Sequence, residues 1–140
     1  MTGNVKKSAR KLARKKIALT GSVNADGAPG IKAMAVEKRE GMKTFWFASN
    51  VGSQRAAQYM ANPRACLYFF DRIPYRGLIL EGAMEVLTDE ASRRLLWRRS
   101  MKCVYRNGRV DDPDYCVLRF IATHGRYYFM LETESFSVDD

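Results

Sequence analysis

Between Ile17 and Leu131 the chain is cut into short apolar runs by turn-forming residues, and this rhythm limits the fold more than any other feature. Ile17 to Val23 reads as a strand. It leads into Asn24-Ala25-Asp26-Gly27, where Asp-Gly supplies a residue tolerant of positive φ. Gly30 to Val36 reads as a second strand, broken by Glu40-Gly41, and Thr44 to Ala48 as a third. Ala65 to Phe70 is a fourth, too apolar to be half exposed, followed by a loop over Asp71 to Tyr75. Leu78 to Leu87 is a fifth, with Gly82 at its middle where a bulge or a barrel corner is expected. Cys116 to Ala122 and Arg126 to Leu131 read as two further strands joined around His124-Gly125. The acidic stretch from Glu132 to Asp140 reads as a tail that frays.

Three segments carry helical rather than strand periodicity. Val5, Ala9, Leu12 and Ala13 give Asn4 to Lys16 a single apolar stripe between basic residues, with Asn4 as its cap. Ser53 to Met60 has Ser53 as a natural N-cap and Ala56, Ala57 and Met60 as a buried side, and Asn62-Pro63 stops it. Thr88 or Asp89 caps a helix that runs to about Met101, and Asn107-Gly108 and Asp112-Pro113 then mark a long loop. About six or seven antiparallel strands with two or three helices fit a mainly β fold closing, or nearly closing, into a barrel. All 140 residues form one domain, with 1–16 as a basic N-terminal helix and 132–140 as the tail.

An apolar content of 46% is enough for a core without staples. No apolar run is long enough to span a bilayer as a helix, and the basic start lacks the apolar block of a secretory signal, so a cytoplasmic protein is expected. Cys66, Cys103 and Cys116 are widely spaced and His124 is the single histidine, so a structural zinc site made only of Cys and His would need nearly every candidate, and no metal role is expected. The net charge of +9 is concentrated in two helical clusters, Lys6 to Lys16 and Arg93 to Arg106. Such clusters form a solvated basic face or gather around a polyanionic ligand. Nucleic-acid binding rests on that charge alone.

The segment Phe45 to Ala56 carries the chemistry. A strand ends in small polar residues, turns over Gly52 and starts a helix at Ser53 with Arg55 in its first turn. Helix-start N–H groups lack intrahelical partners and favour negative charge. Ser49 and Ser53 can donate to phosphate oxygens, and Arg55 can fork onto them. An arginine at that position opposes the helix dipole, and a bound anion would account for it.

The string Ser49-Asn50-Val51-Gly52-Ser53-Gln54-Arg55-Ala56, with Asn62-Pro63 after the helix, resembles the flavin mononucleotide (FMN) phosphate motif of the pyridoxamine 5′-phosphate oxidase family. Asp26-Gly27-Ala28-Pro29 followed by Lys32-Ala33-Met34 resembles its second strand, and Arg76 to Gly82 its strand ending in glycine. Asp112-Pro113-Asp114-Tyr115 resembles the smaller general stress protein 26 branch. The resemblance implies a split β-barrel and a homodimer with FMN at the subunit interface. It implies that Lys32 and Arg55 neutralise the phosphate, with Ser49, Ser53 and Gln54 beside them. The backbone of Lys32, Ala33 and Met34 would run along the isoalloxazine ring, with Ala48 and Asn50 shaping the pocket. The basic helix with Arg93, Arg94, Trp97 and Arg98 would add aromatic or cationic contacts, and Trp97 fits core or dimer packing equally well.

Departures bear on activity. Glu37 stands where the full oxidases carry a second lysine, Gly77 stands where they carry a glutamine, and His124-Gly125-Arg126 does not reproduce their Arg-x-His substrate element. These argue against the namesake oxidase and for another FMN-dependent oxidoreductase, reduced by a nicotinamide or another donor. No Cys/His or Ser/His/Asp arrangement offers a protein nucleophile. Two other functions fit the same resemblance: a flavin sensor or store without turnover, and a binder of deazaflavin or haem, for which His124 is the one axial histidine.

Overall fold

The computed structural model describes residues 3–98, 101, 104–105 and 109–138. Its elements are α1 (Gly3–Leu12), β1 (Ile17–Val23), β2 (Pro29–Ala35), β3 (Lys38–Glu40), β4 (Thr44–Asn50), α2 (Gln54–Ala61), β5 (Arg64–Asp71), β6 (Arg76–Leu87), α3 (Glu90–Leu96), β7 (Tyr115–Phe129) and β8 (Glu132–Ser137). All strand pairs are antiparallel, in the order β2-β1-β5-β6-β7-β4-β3, with β8 added on β7. The result is a mainly β, curled half-barrel sheet with three helices. The Asp26-Gly27 turn forms as its chemistry requires: Gly27 has φ 86° and its N–H donates to the Asn24 carbonyl at 2.9 Å.

The concave face is filled by Phe45, Phe47, Leu67, Phe69, Leu78, Leu80, Met84, Leu118 and Phe120, all 1% exposed or less. α1 lies across the mouth of this core and buries Ala9 and Leu12. It starts at Gly3, so Asn4 is a helical residue rather than the cap, and it ends four residues before Lys16. Lys11 and Leu12 carbonyls take the next two N–H groups in a closing turn, and Arg39 Nη1 donates to the Ala13 carbonyl.

β7 organises the sheet. Its 15 residues pair with β6 along one edge. Along the other edge they pair first with β4, over Tyr115 to Ile121, and then with β8, over His124 to Phe129. The change of partner falls at a bulge. Glu81 faces His124 and Gly82 faces Ala122, leaving Thr123 unmatched. Thr123 Oγ1 donates to the Glu81 carbonyl at 3.2 Å, and the Thr123 carbonyl accepts from Val138 N at 2.9 Å. Inward positions are even-numbered before the bulge, as Leu118, Phe120 and Ala122, and odd-numbered after it, as Gly125 and Tyr127.

This phase change corrects the expectation of two strands around a His124-Gly125 turn. Gly125 is not a turn residue: a Cβ there would lie 2.3 Å from Phe136 Cζ, so the glycine admits that ring. Nor does the tail fray from Glu132. Glu132 to Ser137 forms β8, and Phe136 and Val138 pack against the main core. β3, too charged to read as a strand, pairs Lys38 to Glu40 with β4. α3 stops at Leu96, with Asp89 as its N-cap, whereas the sequence reading carried it to Met101.

Gly82 sits where a side chain has no room, since a Cβ there would meet the Ile121 carbonyl oxygen at 2.0 Å. Gly82→Ala must push β6 and β7 apart at the bulge. A destabilisation of about 2 kcal/mol or more is expected in urea unfolding. A change within about 0.5 kcal/mol would show that the bulge does not need the glycine.

Candidate functional site

The turn from β4 to α2 is built as the sequence implies. Ser53 is the N-cap, with φ −74° and ψ 150°, and its Oγ accepts from Ala56 N at 3.0 Å. Ser53 N donates to the Asn50 carbonyl at 3.0 Å, and Ser49 Oγ lies 3.4 Å from Ser53 Oγ. The N–H groups of Gln54 and Arg55 lie in the first helical turn, where no carbonyl of the helix reaches them. Gln54 is exposed and Arg55 half-buried. The Gly52 N–H is already taken by Asp114 Oδ1 at 3.1 Å, and Val51 N by the Asp114 carbonyl at 2.7 Å. The 112–114 turn therefore clamps this loop, and Asp112 is itself buried at 2% exposure.

Arg55 does not extend into solvent. Its Nη1 donates to Ser22 Oγ of β1 at 2.6 Å, and its guanidinium lies 5.9 Å from the centre of the Tyr59 ring. Ser22 Oγ donates to Gln58 Oε1 at 2.8 Å, and Gln58 Nε2 donates to Asn24 Oδ1 at 2.6 Å. Tyr59 Oη donates to the Gly21 carbonyl at 2.9 Å. One polar chain thus stitches α2 to β1. Arg55, Gln58 and Tyr59 share a helix face because they are three and four residues apart.

Lys32 reaches the same neighbourhood through the β1–β2 ladder. Thr20 faces Lys32 and Ser22 faces Gly30, and Thr20 Oγ1 donates to the Lys32 carbonyl at 3.0 Å. Directly opposed residues project to one face, so Lys32 is two positions, about 7 Å, from the Ser22–Arg55 hydrogen bond. Lys32 and Ala33 are exposed, whereas Met34 packs against the main core.

A second, smaller core backs β4. Trp46, Leu96, Met101, Tyr105, Tyr115 and Val117 form it, with Ala48 and Trp97 packed against it. Tyr105 Oη donates to the Ser49 carbonyl at 2.6 Å. The Trp97 ring lies 5.2 Å from that of Tyr115 and 6.0 Å from that of Tyr105. The structure thus brings Ser49 and Ser53 together at the start of α2 and ties Arg55 to Ser22 of β1, with Lys32 further along the β1–β2 ladder, while Trp97 stands one aromatic ring behind Ser49.

The two departures have local explanations. Glu37 is held by Arg98, whose Nη2 donates to Glu37 Oε2 at 2.5 Å. At Gly77 a Cβ would lie 2.2 Å from Tyr68 Oη, so the glycine leaves room for Tyr68, which stacks on Phe70 at 5.9 Å. Ser22, Gln58 and Tyr59 escaped the sequence reading. For Ser22 a signal existed: Thr20 and Ser22 put hydroxyls at alternate positions of a strand, on the face opposite Ile17, Leu19 and Val23. Among the described residues no group of three or more His, Cys, Asp or Glu could hold a metal ion, and no helix is long and apolar enough to cross a membrane.

Burial around Ser49 also sets an alkaline limit on stability. Burial pushes the Cys116 thiol from its ordinary 9.0 up to about 11, with the Asp114 charge acting in the same direction. Burial likewise pushes Tyr115 up to about 12. The unfolded chain releases both protons first, so their contribution is intact below about pH 9 and is lost as pH rises through about 11 to 12. The urea midpoint is expected to hold from neutral pH and to fall above about pH 9, with the first part of the fall absent in Cys116→Ala. A midpoint level through about pH 11 would contradict this assignment.

A family model described as pyridoxamine 5′-phosphate oxidase matches residues 5–129. No curated protein sequence matches the chain. Among solved structures, a protein related to Bacillus subtilis general stress protein 26, from Clostridium acetobutylicum, is similar at 34% identity and a TM-score of 0.87, over 99% of this chain and 97% of that one. General stress protein 26 from Bacillus anthracis is similar in fold, with a TM-score of 0.76 at 16% identity over 96% and 99% of the two chains. A heme binding protein from Mycobacterium smegmatis has a TM-score of 0.76 at 14% identity, over 98% of this chain and 59% of that one. With the half-barrel and the strand-to-helix turn at Ser49–Arg55 in place, the model match and the Clostridium relative establish that this chain belongs to the pyridoxamine 5′-phosphate oxidase family, alongside the general stress protein 26-like members.

Proposed function

We propose that this chain binds FMN, with the phosphate held at the start of α2, and works as a flavin-dependent oxidoreductase in a homodimer. The observation that carries this reading is the start of α2 itself: Ser49 Oγ and Ser53 Oγ lie 3.4 Å apart beside two helix-start N–H groups, and Arg55 stands in that first turn. That set fits a phosphate: hydroxyl and N–H donors accompany a cation held by neutral partners rather than by a carboxylate. Lys32 adds a second cation from β2, and the backbone of Lys32, Ala33 and Met34 offers an edge along which a flat ring system can lie. Asn50 follows Ser49 at the end of β4 and Gln54 adds an exposed amide, while Ala48 packs on the second core behind the strand.

When bound, the flavin supplies the redox chemistry, and a nicotinamide is the proposed electron donor. The role of this chain is to bind, orient and screen. Arg55 keeps its charge because Ser22 and the Tyr59 ring hold it without neutralising it. Tyr105 fixes the Ser49 carbonyl from behind, which sets the direction of the Ser49 side chain. The haem alternative has no comparable group of residues. His124 is exposed, its Nδ1 is 3.0 Å from Thr123 Oγ1, and it lies eight positions, about 26 Å of extended chain, along β7 from Cys116, the partner of Ser49.

The outer face of β2, β1, β5 and β6 supports the dimer. Ile31 is 70% exposed, Ile17 53% and Phe70 49%, and a groove of about 570 Å³ runs between Val23, Ile31, Cys66 and Ile79. An apolar sheet face of this kind marks an interaction site. Because β2 carries Ile31 and Lys32 on opposite faces, a second copy seated there would brace the strand that bears Lys32.

FMN titration by flavin fluorescence tests the phosphate site. Arg55→Ala is expected to weaken FMN about ten- to hundredfold, the loss of a charge-assisted contact, with unchanged thermal stability and unchanged riboflavin affinity. Equal FMN affinity in the variant would refute the phosphate role. For the interface, Ile31→Asp is expected to give a monomer by light scattering. A dimer that persists unchanged would move the contact to another face.

A further inference from the structure

A second cleft lies on the far side of the aromatic cluster from Ser49 and plays no part in the site above. Its volume is about 630 Å³, within the range of small-molecule sites. Arg93, Arg94 and Trp97 reach it from α3 and its C-cap, Arg109 and Asp111 from the segment before β7, and Glu90 completes the wall. Three features of the lining point to one kind of ligand.

The first is the arginines. Arg94 is engaged by Glu90, with Nε to Oε1 at 2.8 Å. Arg93 is held by its backbone, since its carbonyl accepts from Tyr115 Oη at 2.8 Å. Its Nε is the one buried side-chain nitrogen or oxygen without a hydrogen-bond partner among the described residues. A buried unpaired guanidinium N–H is costly, so this group is poised to turn toward an acceptor. Arg109 is exposed on the opposite wall. Guanidinium forks on two walls match the spread oxygens of a phosphate or diphosphate. The second feature is Trp97, half-buried against Tyr105 and Tyr115 and forming part of the cleft wall, which gives a flat group a surface to stack on. The third is the pair of carboxylates. Glu90 and Asp111 would repel a bare anion but accept from the hydroxyl or amino groups of a larger ligand.

We infer that this cleft binds a nucleoside phosphate, with the phosphates on Arg93 and Arg109, the base against Trp97, and Asp111 accepting from the sugar or base. The proposal does not depend on FMN binding at α2. Arg93, Arg94 and Trp97, which the family resemblance would turn toward the flavin, line this cleft instead, and no other residue is common to the two sites. Tyr115 and Tyr105, ring centres 4.8 Å apart, nevertheless tie the Arg93 carbonyl to the Ser49 carbonyl through successive hydrogen bonds.

The test is calorimetric titration of the intact protein with ADP, adenosine and inorganic pyrophosphate in separate experiments. ADP is expected to bind at least about tenfold more tightly than either fragment, because it alone engages both the cations and the ring. Arg93→Gln and Arg109→Gln are each expected to weaken ADP about tenfold while leaving FMN affinity unchanged. Arg55→Ala is expected to leave ADP affinity unchanged. Pyrophosphate binding as tightly as ADP would overturn the proposal in favour of a simple anion patch. No heat with ADP at millimolar concentration would overturn it outright. Loss of FMN affinity in Arg93→Gln would overturn it by merging the cleft with the flavin site. A failure of FMN to bind the wild-type protein would leave the ADP result standing on its own.

Discussion

The close approach of Gly82 to the Ile121 carbonyl is the contact on which the rest of the molecule depends. It allows β6 and β7 to stay paired through a bulge, and the bulge lets a 15-residue strand bend instead of running straight. Because β7 bends at Thr123, its outer edge can serve two partners, β4 before the bulge and β8 after it. β4 is thereby held in register with Tyr115 to Ile121, which fixes Ser49 opposite Cys116 and Asn50 opposite Tyr115. The start of α2, and with it Arg55, is placed by that register. A backbone constraint at the bulge thus sets where polar groups gather at the far end of β4.

Those polar groups are stable where they are because none is left alone. Thr20 and Ser22 are buried at 0% and 4% exposure, and each has a partner. Burial of a hydroxyl without a hydrogen bond is unfavourable, so the Ser22–Gln58 bond, continued to Asn24, must remain intact for β1 and α2 to pack. The same chain holds the Arg55 side chain in one position. Rigidity at this site follows from satisfying buried polar atoms, and it removes ordering cost from any anion that binds beside it.

Much of this was legible in the sequence, and the failures have a common form. The Ser53 cap, the Asp26-Gly27 turn and the Gly82 bulge were readable because each is local chemistry at one or two residues. β7 was misread because its inward positions change parity at Thr123, so no single period of two runs through it. β8 was missed because its half-buried positions, Glu134, Phe136 and Val138, are diluted by acidic neighbours. The motif around Ser49 to Arg55 marked, from sequence alone, the strand-to-helix turn where the anion site is proposed. Ser22 and Gln58 were not identified, because their importance comes from partners 33 and 36 residues away. Long-range pairing of that kind leaves no mark on local pattern.

The placement of β7 between β6 and β4 also governs how the chain can be assembled. When residues up to Leu87 have been made, β4 has only the three-residue β3 beside it, and β6 has only β5. Each still presents an open row of backbone donors and acceptors toward the gap that β7 will fill. The two halves of the barrel cannot be joined until the last third of the chain inserts between them, so the sheet is completed by its most non-local strand. During synthesis the nascent protein therefore passes through a stage with two unprotected edges, when pairing with another chain competes with completion of the fold.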